Sequence, residues 1–102
     1  MIILIDNDKL IHLGWKLRAS KAGLIFSSFY SVDEFLKEQI SRDLIEDIYI
    51  DSDLGNDVKG EEEAKRIYKS GYINIILTTG YSDLNKSDFP WLKNIISKNP
   101  PF

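Results

Sequence analysis

Three short apolar runs, residues 2–5 (IILI), 48–50 (IYI) and 73–78 (INIILT), are each followed at once by polar or charged groups. Runs of this length with little polar alternation are the mark of strands covered on both faces, as in a parallel sheet. Weaker candidates lie at 24–27 and 95–97. Between the runs the spacing turns helical. Leu10, Ile11, Leu13 and Leu17 form a stripe that predicts a helix over 9–22, with Gly23 at its C-cap. Ser31 and Glu34 are spaced as a capping box opening a helix that presents Phe35, Leu36 and Ile40. A third helix is expected over 61–70, with Ala64, Ile67 and Tyr68 inward, three glutamates suiting its first turn, and Gly71 at its end.

Strands alternating with helices predict an α/β sandwich, a parallel sheet with right-handed crossovers and helices on both faces. At 102 residues there is room for one domain spanning 1–102. Residues 81–94 are the irregular part. Pro90 excludes a long helix there, leaving one or two turns around 82–85 or 89–93.

Charge and cysteine content exclude several function classes. The net charge is −3 with acids and bases interspersed, and no Lys/Arg cluster offers nucleic acid a footprint. Without cysteine there is neither a disulfide framework nor a thiolate metal site. The opening apolar run is too short for a signal peptide or a membrane span, so a cytoplasmic protein with no membrane partner is expected.

In an open α/β sheet, ligands bind beyond the carboxyl ends of the strands. Asp6, Asn7 and Asp8 follow the first strand. Asp51, Ser52 and Asp53 follow the third, Thr79 and Gly80 the fourth, and Lys98 the fifth. Carboxylates brought together either raise a pKa or bind a cation, and hard oxygen donors suit Mg²⁺. A hydroxyl and an ammonium opposite them suit phosphoryl oxygens, so the rim is fitted for in-line attack on phosphorus.

This order of groups resembles the receiver domain of bacterial response regulators, over nearly the whole chain. The resemblance implies a flavodoxin-like, doubly wound five-stranded parallel sheet of order 2-1-3-4-5. It implies that Asp51 is the phosphoacceptor, that Thr79 is the switch hydroxyl and that Lys98 is the phosphoryl-binding lysine. Asp6 and Asn7 fall at the acidic-pair positions, and Asp53 would offer its main-chain carbonyl to Mg²⁺ (or Mn²⁺). The implied partners are a histidine kinase or hybrid kinase domain and a downstream protein.

Departures from the family pattern are equally specific. Asn7 replaces the second acid, which implies weaker metal binding, and Asp8 is the nearest acid that could compensate. Ile95 stands where an aromatic switch is common, Gly55 where proline is common, and Asn99 is inserted between Lys98 and Pro100. No fifth helix follows Lys98, so apolar sheet surface of about a few hundred Å² is expected to be open, inviting a second copy or a neighbouring domain. The Pro100-Pro101-Phe102 tail or Trp91 folding back is the alternative. His12 is expected at the surface, and the Glu61–Glu63 run on a solvated face.

Two rival functions remain. Asp51-Ser52-Asp53 also resembles the nucleophile motif of haloacid-dehalogenase-type phosphatases, but that scheme needs a further acid pair after a later strand. Only Asn-Pro-Pro-Phe follows Lys98. The other rival is a receiver-like module that has lost phosphorylation and acts by binding alone.

Overall fold

The computed structural model describes residues 1–81 and 83–102. Five parallel strands, β1 (Ile2–Ile5), β2 (Phe26–Phe29), β3 (Asp47–Asp51), β4 (Ile75–Thr78) and β5 (Asn94–Ile96), form one sheet in the order β2-β1-β3-β4-β5. The helices are α1 (Lys9–Lys21), α2 (Val32–Lys37) and α3 (Gly60–Lys69). The expected doubly wound architecture and strand order are therefore present. β1, β4 and most of β3 are buried along their length, as their unbroken apolar runs require.

Strand boundaries shift where the backbone turns left-handed. Asn74 has φ 60°, so Ile73 falls outside β4, which starts at Ile75. Gly23 has φ 70° at the end of α1, and Leu24 N–H returns to the Ala19 carbonyl. That capping turn uses Leu24 and Ile25, and β2 begins only at Phe26 rather than at 24. β5 begins one residue earlier than expected, at Asn94. Ser31 does cap α2, accepting the Glu34 N–H, but the helix is short and Gln39 at φ 51° leaves Ile40 beyond it.

The segment before β5 holds a single 3₁₀ turn, Lys86–Asp88, capped by Asn85. The expected turn at 82–85 includes Ser82, which lies outside the described residues. A reverse turn, with Leu92 N–H on the Phe89 carbonyl, stands at 89–93. The fourth helix is thus short and irregular, and no α-helix follows β5 among the described residues.

The largest correction concerns α1. Its leucine stripe does not face the sheet: Leu10 is 74% exposed and Leu17 65%, with Leu13 also outward. The buried face is His12, Trp15 and Ala19. Both sets follow helical spacing, and Trp15 wins because it covers Tyr49 edge-on and donates its indole N–H to the Lys98 carbonyl at 3.2 Å. Tyr68 of α3 is likewise exposed, while Glu61, expected in solvent, is buried.

The sheet face beneath α1 is closed among the described residues. Phe102 packs edge-on against Trp15 and Tyr49, and Arg18 holds the Phe102 carbonyl at 2.8 Å. Ile2, Leu4, Tyr49 and Ile76 beneath are buried. The sheet surface expected to lie open is thus covered by Trp15 and Phe102, the alternative arrangement named for the Pro100-Pro101-Phe102 segment. The other face is closed by α2 and α3 over Ile3, Ile5, Ile48, Ile50, Ile75 and Leu77.

Candidate functional site

The strand ends deliver four polar groups to one rim. Asp51, the last residue of β3, is registered against Thr78, so Thr79 stands just beyond it on the neighbouring strand. β1 ends beside β3, and Asp6 follows its last residue. Asp6, Asp51 and Thr79 are all buried. Lys98, two residues past β5, reaches across, its Nζ 3.0 Å from Asp51 Oδ1.

Packing brings α3 hard against this rim. A Cβ at Gly60 would lie 1.8 Å from the Asp51 carbonyl oxygen, so only glycine fits there. Gly60 N–H donates to the Ser52 carbonyl at 2.8 Å, fixing the approach. Asp53 is committed locally, its carboxylate accepting the Gly55 N–H at 3.0 Å. Its side chain is thus spent on the loop, consistent with a role only for its main chain.

Electrostatics follow from burial. Asp6 is pushed up to about 6, first by desolvation and further by the charge of Asp51, against the Asp8 N–H bond that favours its ionised form. Desolvation also raises Asp51, with Lys98 pulling the other way. Burial works against the Lys98 charge, but the Asp51 contact and the nearby Asp6 and Asp53 outweigh it and push its pKa up. The Lys98–Asp51 contact is an ion pair without the alignment of a hydrogen bond, and Asp51 Oδ1 and Asp6 Oδ2 have no hydrogen-bond partner.

The unpartnered Asp6 Oδ2 and the neighbouring Asp51 carboxylate, whose Oδ1 meets only the Lys98 ammonium, are a fit for a hard divalent cation, which takes one or two carboxylates with water and phosphate oxygens completing the set. A richer cluster is lacking: no group of three or more acids or histidines poised to hold a metal occurs among the described residues. Asp8, the nearest acid to Asn7, is engaged as the α1 N-cap, its Oδ1 accepting the Leu10 N–H at 2.9 Å. The Asn7 amide lies against Gly55, where its nitrogen would be 2.9 Å from an added Cβ. Proline or any other side chain at 55 would displace it.

Thr79 is held ready. Its Oγ accepts the Ser52 hydroxyl at 3.1 Å and the Tyr81 N–H at 3.0 Å, which leaves its own proton free to donate. Ser52, already expected beyond β3, bonds Thr79, whereas His12, expected at the surface, is buried behind the rim. His12 sits at positions i, i+3 and i+7 with Trp15 and Ala19, and that spacing was the available signal.

No family model and no curated protein matches the sequence. Solved structures do. The response regulator protein TrrA of Thermotoga maritima, in complex with Mg²⁺ and BeF, superposes with a TM-score of 0.79 at 22% identity, over 99% of this chain and 88% of that one. A response regulator receiver protein of Pseudoalteromonas atlantica gives 0.78 at 22% identity over 95% and 83%. A CheY-like receiver domain of Methylobacillus flagellatus gives 0.75 at 16% over 99% and 86%. This chain has the receiver-domain fold. At such identities the likeness carries the fold and leaves the chemistry to the residues of the rim. No described helix is long and apolar enough to cross a membrane.

Proposed function

We propose that this chain is the phosphoacceptor receiver domain of a two-component system, taking a phosphoryl group onto Asp51 from a histidine kinase or hybrid kinase. The observation that carries the reading is the buried Asp51 paired with Lys98 at 3.0 Å beside Asp6, whose Oδ2 has no partner. Asp6, Asn7, Asp51 and the Asp53 main-chain carbonyl would hold Mg²⁺ (or Mn²⁺), which would supply charge neutralisation for the phosphoryl oxygens. An Asp51 carboxylate oxygen attacks phosphorus in line while the N–P bond to the donor imidazole breaks, its electron pair leaving on nitrogen. Lys98 then exchanges its carboxylate partner for a phosphoryl oxygen, and Thr79 donates its free hydroxyl proton to another.

Movement of Thr79 reaches the surface through a groove of about 380 Å³ lined by Thr79, Gly80, Tyr81, Leu84 and Ile95. A downstream protein reading that groove would sense the phosphorylated state. One observation favours the rival reading of a receiver-like module without phosphorylation: Asn7 adds no carboxylate and rests against Gly55.

Amide NMR spectra with Mg²⁺ and then Mg²⁺ plus beryllofluoride decide between them. Shifts at Asp6, Asp51, Thr79 and Lys98 that vanish in Asp51→Asn are expected. A folded native chain indifferent to both ligands would sink phosphorylation and leave the binding module.

A further inference from the structure

Every polar atom of the His12 ring is engaged, although the chemistry above does not use it. His12 is only 7% exposed, and its Nε2 lies 2.6 Å from the Asp6 main-chain carbonyl. A carbonyl oxygen only accepts, so Nε2 carries the proton and donates. Nδ1 is 2.8 Å from the Ser28 hydroxyl on β2, and the ring face stacks on Tyr30 at 4.1 Å with an interplanar angle of 12°. Two edges and one face of the imidazole are therefore fixed, by the residue following β1, by β2 and by the residue following β2.

The bond reaches back across one turn and closes on the loop that carries the rim acids. Asp6 N–H continues the sheet by donating to the Phe29 carbonyl, and Asp8 N–H donates to Asp6 Oδ1 at 2.8 Å. Asp8 in turn caps α1, on which His12 rides. The carbonyl and the carboxylate of Asp6 are thus tied to the same first turn of α1, one through His12 and the other through Asp8. Release of the carbonyl frees the peptide unit joining Asp6 to Asn7, the two residues proposed to face the metal.

We propose that His12 is a positioning residue for the cation site, a latch that holds the Asp6–Asp8 loop so that Asp6 Oδ2 stays turned toward Asp51. The proposal rests on the receiver reading for its cation and on the geometry alone for the latch. Partners in the outer shell that orient a metal-binding group change affinity by about 10–100-fold when lost.

The test compares His12→Leu, which fills space without a donor, with His12→Gln, whose amide N–H can replace Nε2–H. Mg²⁺ titration followed by amide shifts is expected to show about tenfold weaker binding in the leucine variant and near-native binding in the glutamine variant. In metal-free protein, hydrogen exchange at the Asp8 amide is expected to quicken in His12→Leu, beyond any change in global unfolding by urea, and to recover in His12→Gln. Equal losses in both variants, scaling with global stability, would reduce His12 to core packing and overturn the latch. If the native chain ignores Mg²⁺, the receiver reading falls. The Asp8 amide then still decides the latch, which unchanged protection in His12→Leu refutes.

Discussion

The two faces of the sheet are closed by different means. On one, two helices lay aliphatic and aromatic side chains over the strands: Val32 and Phe35 from α2, Ala64 and Ile67 from α3, with Tyr72 and Leu92 filling between. On the other, a single helix and an irregular tail cover Ile2, Leu4, Tyr49 and Ile76, chiefly through Trp15 and Phe102. Redundant cover by mixed aliphatic and aromatic side chains spreads its stabilisation over many contacts. Cover by one helix and one ring beyond it concentrates the stabilisation in Trp15 and Phe102, which bury much area and meet edge-on.

The sharpest way to break this contrast is Trp15→Ala. Loss of a buried tryptophan costs about 3–5 kcal/mol, and urea unfolding should show it with greater exposure of Tyr49 and Ile76. Phe35→Ala on the helical face falls in the same range, but with Phe29 and Tyr72 still packed around the gap.

Asp6 stands at the rim where both faces end, and the next effect belongs there. Its folded pKa of about 6 lies above its usual 3.8, so the folded state holds the proton more tightly than the unfolded chain. The associated stability is fully present below about pH 4 and is lost as pH rises through about 6. Asp6→Asn is therefore expected to stabilise the metal-free fold at pH 7 by on the order of 3 kcal/mol. It should also flatten the pH dependence between 4 and 6, read as urea midpoints across that range. On the proposed receiver reading, the same substitution is expected to weaken Mg²⁺ binding, which in the native chain should strengthen as pH rises through about 6.

Phe102→Ala should cost about 1–2 kcal/mol, since the ring is half-buried and makes two edge contacts. A larger loss would mean that the tail carries the whole face. The smallest effect is expected on the outer side of α1, where Leu13→Gln should change stability by no more than about 0.5 kcal/mol. A loss near that of a core leucine would show that the two sides of α1 had been assigned the wrong way round.

Much of the architecture was legible in the chain. Apolar runs without alternation at β1, β3 and β4 leave a strand no solvent face, so a parallel sheet between helices was the only economical outcome. The rim was legible for the same reason. Once the strands are parallel, Asp6, Asp51, Thr79 and Lys98 have to emerge at the same edge.

Periodicity could not choose between the two stripes of α1, because 10, 13 and 17 obey the same spacing as 12, 15 and 19. Hydrophobicity alone favoured the leucines. The choice belonged to the opposing surface, where Tyr49 and Phe102 accept a tryptophan ring and the Lys98 carbonyl accepts its N–H. With Trp15 inward, His12 is carried inward too, onto a carbonyl at the end of β1. The sequence by itself determined the strands, their order of chemistry and the residues available at the rim. Which face of a helix is buried, what closes the sheet and what steadies the acids depended on contacts between segments far apart in the chain, and these only the tertiary structure decided.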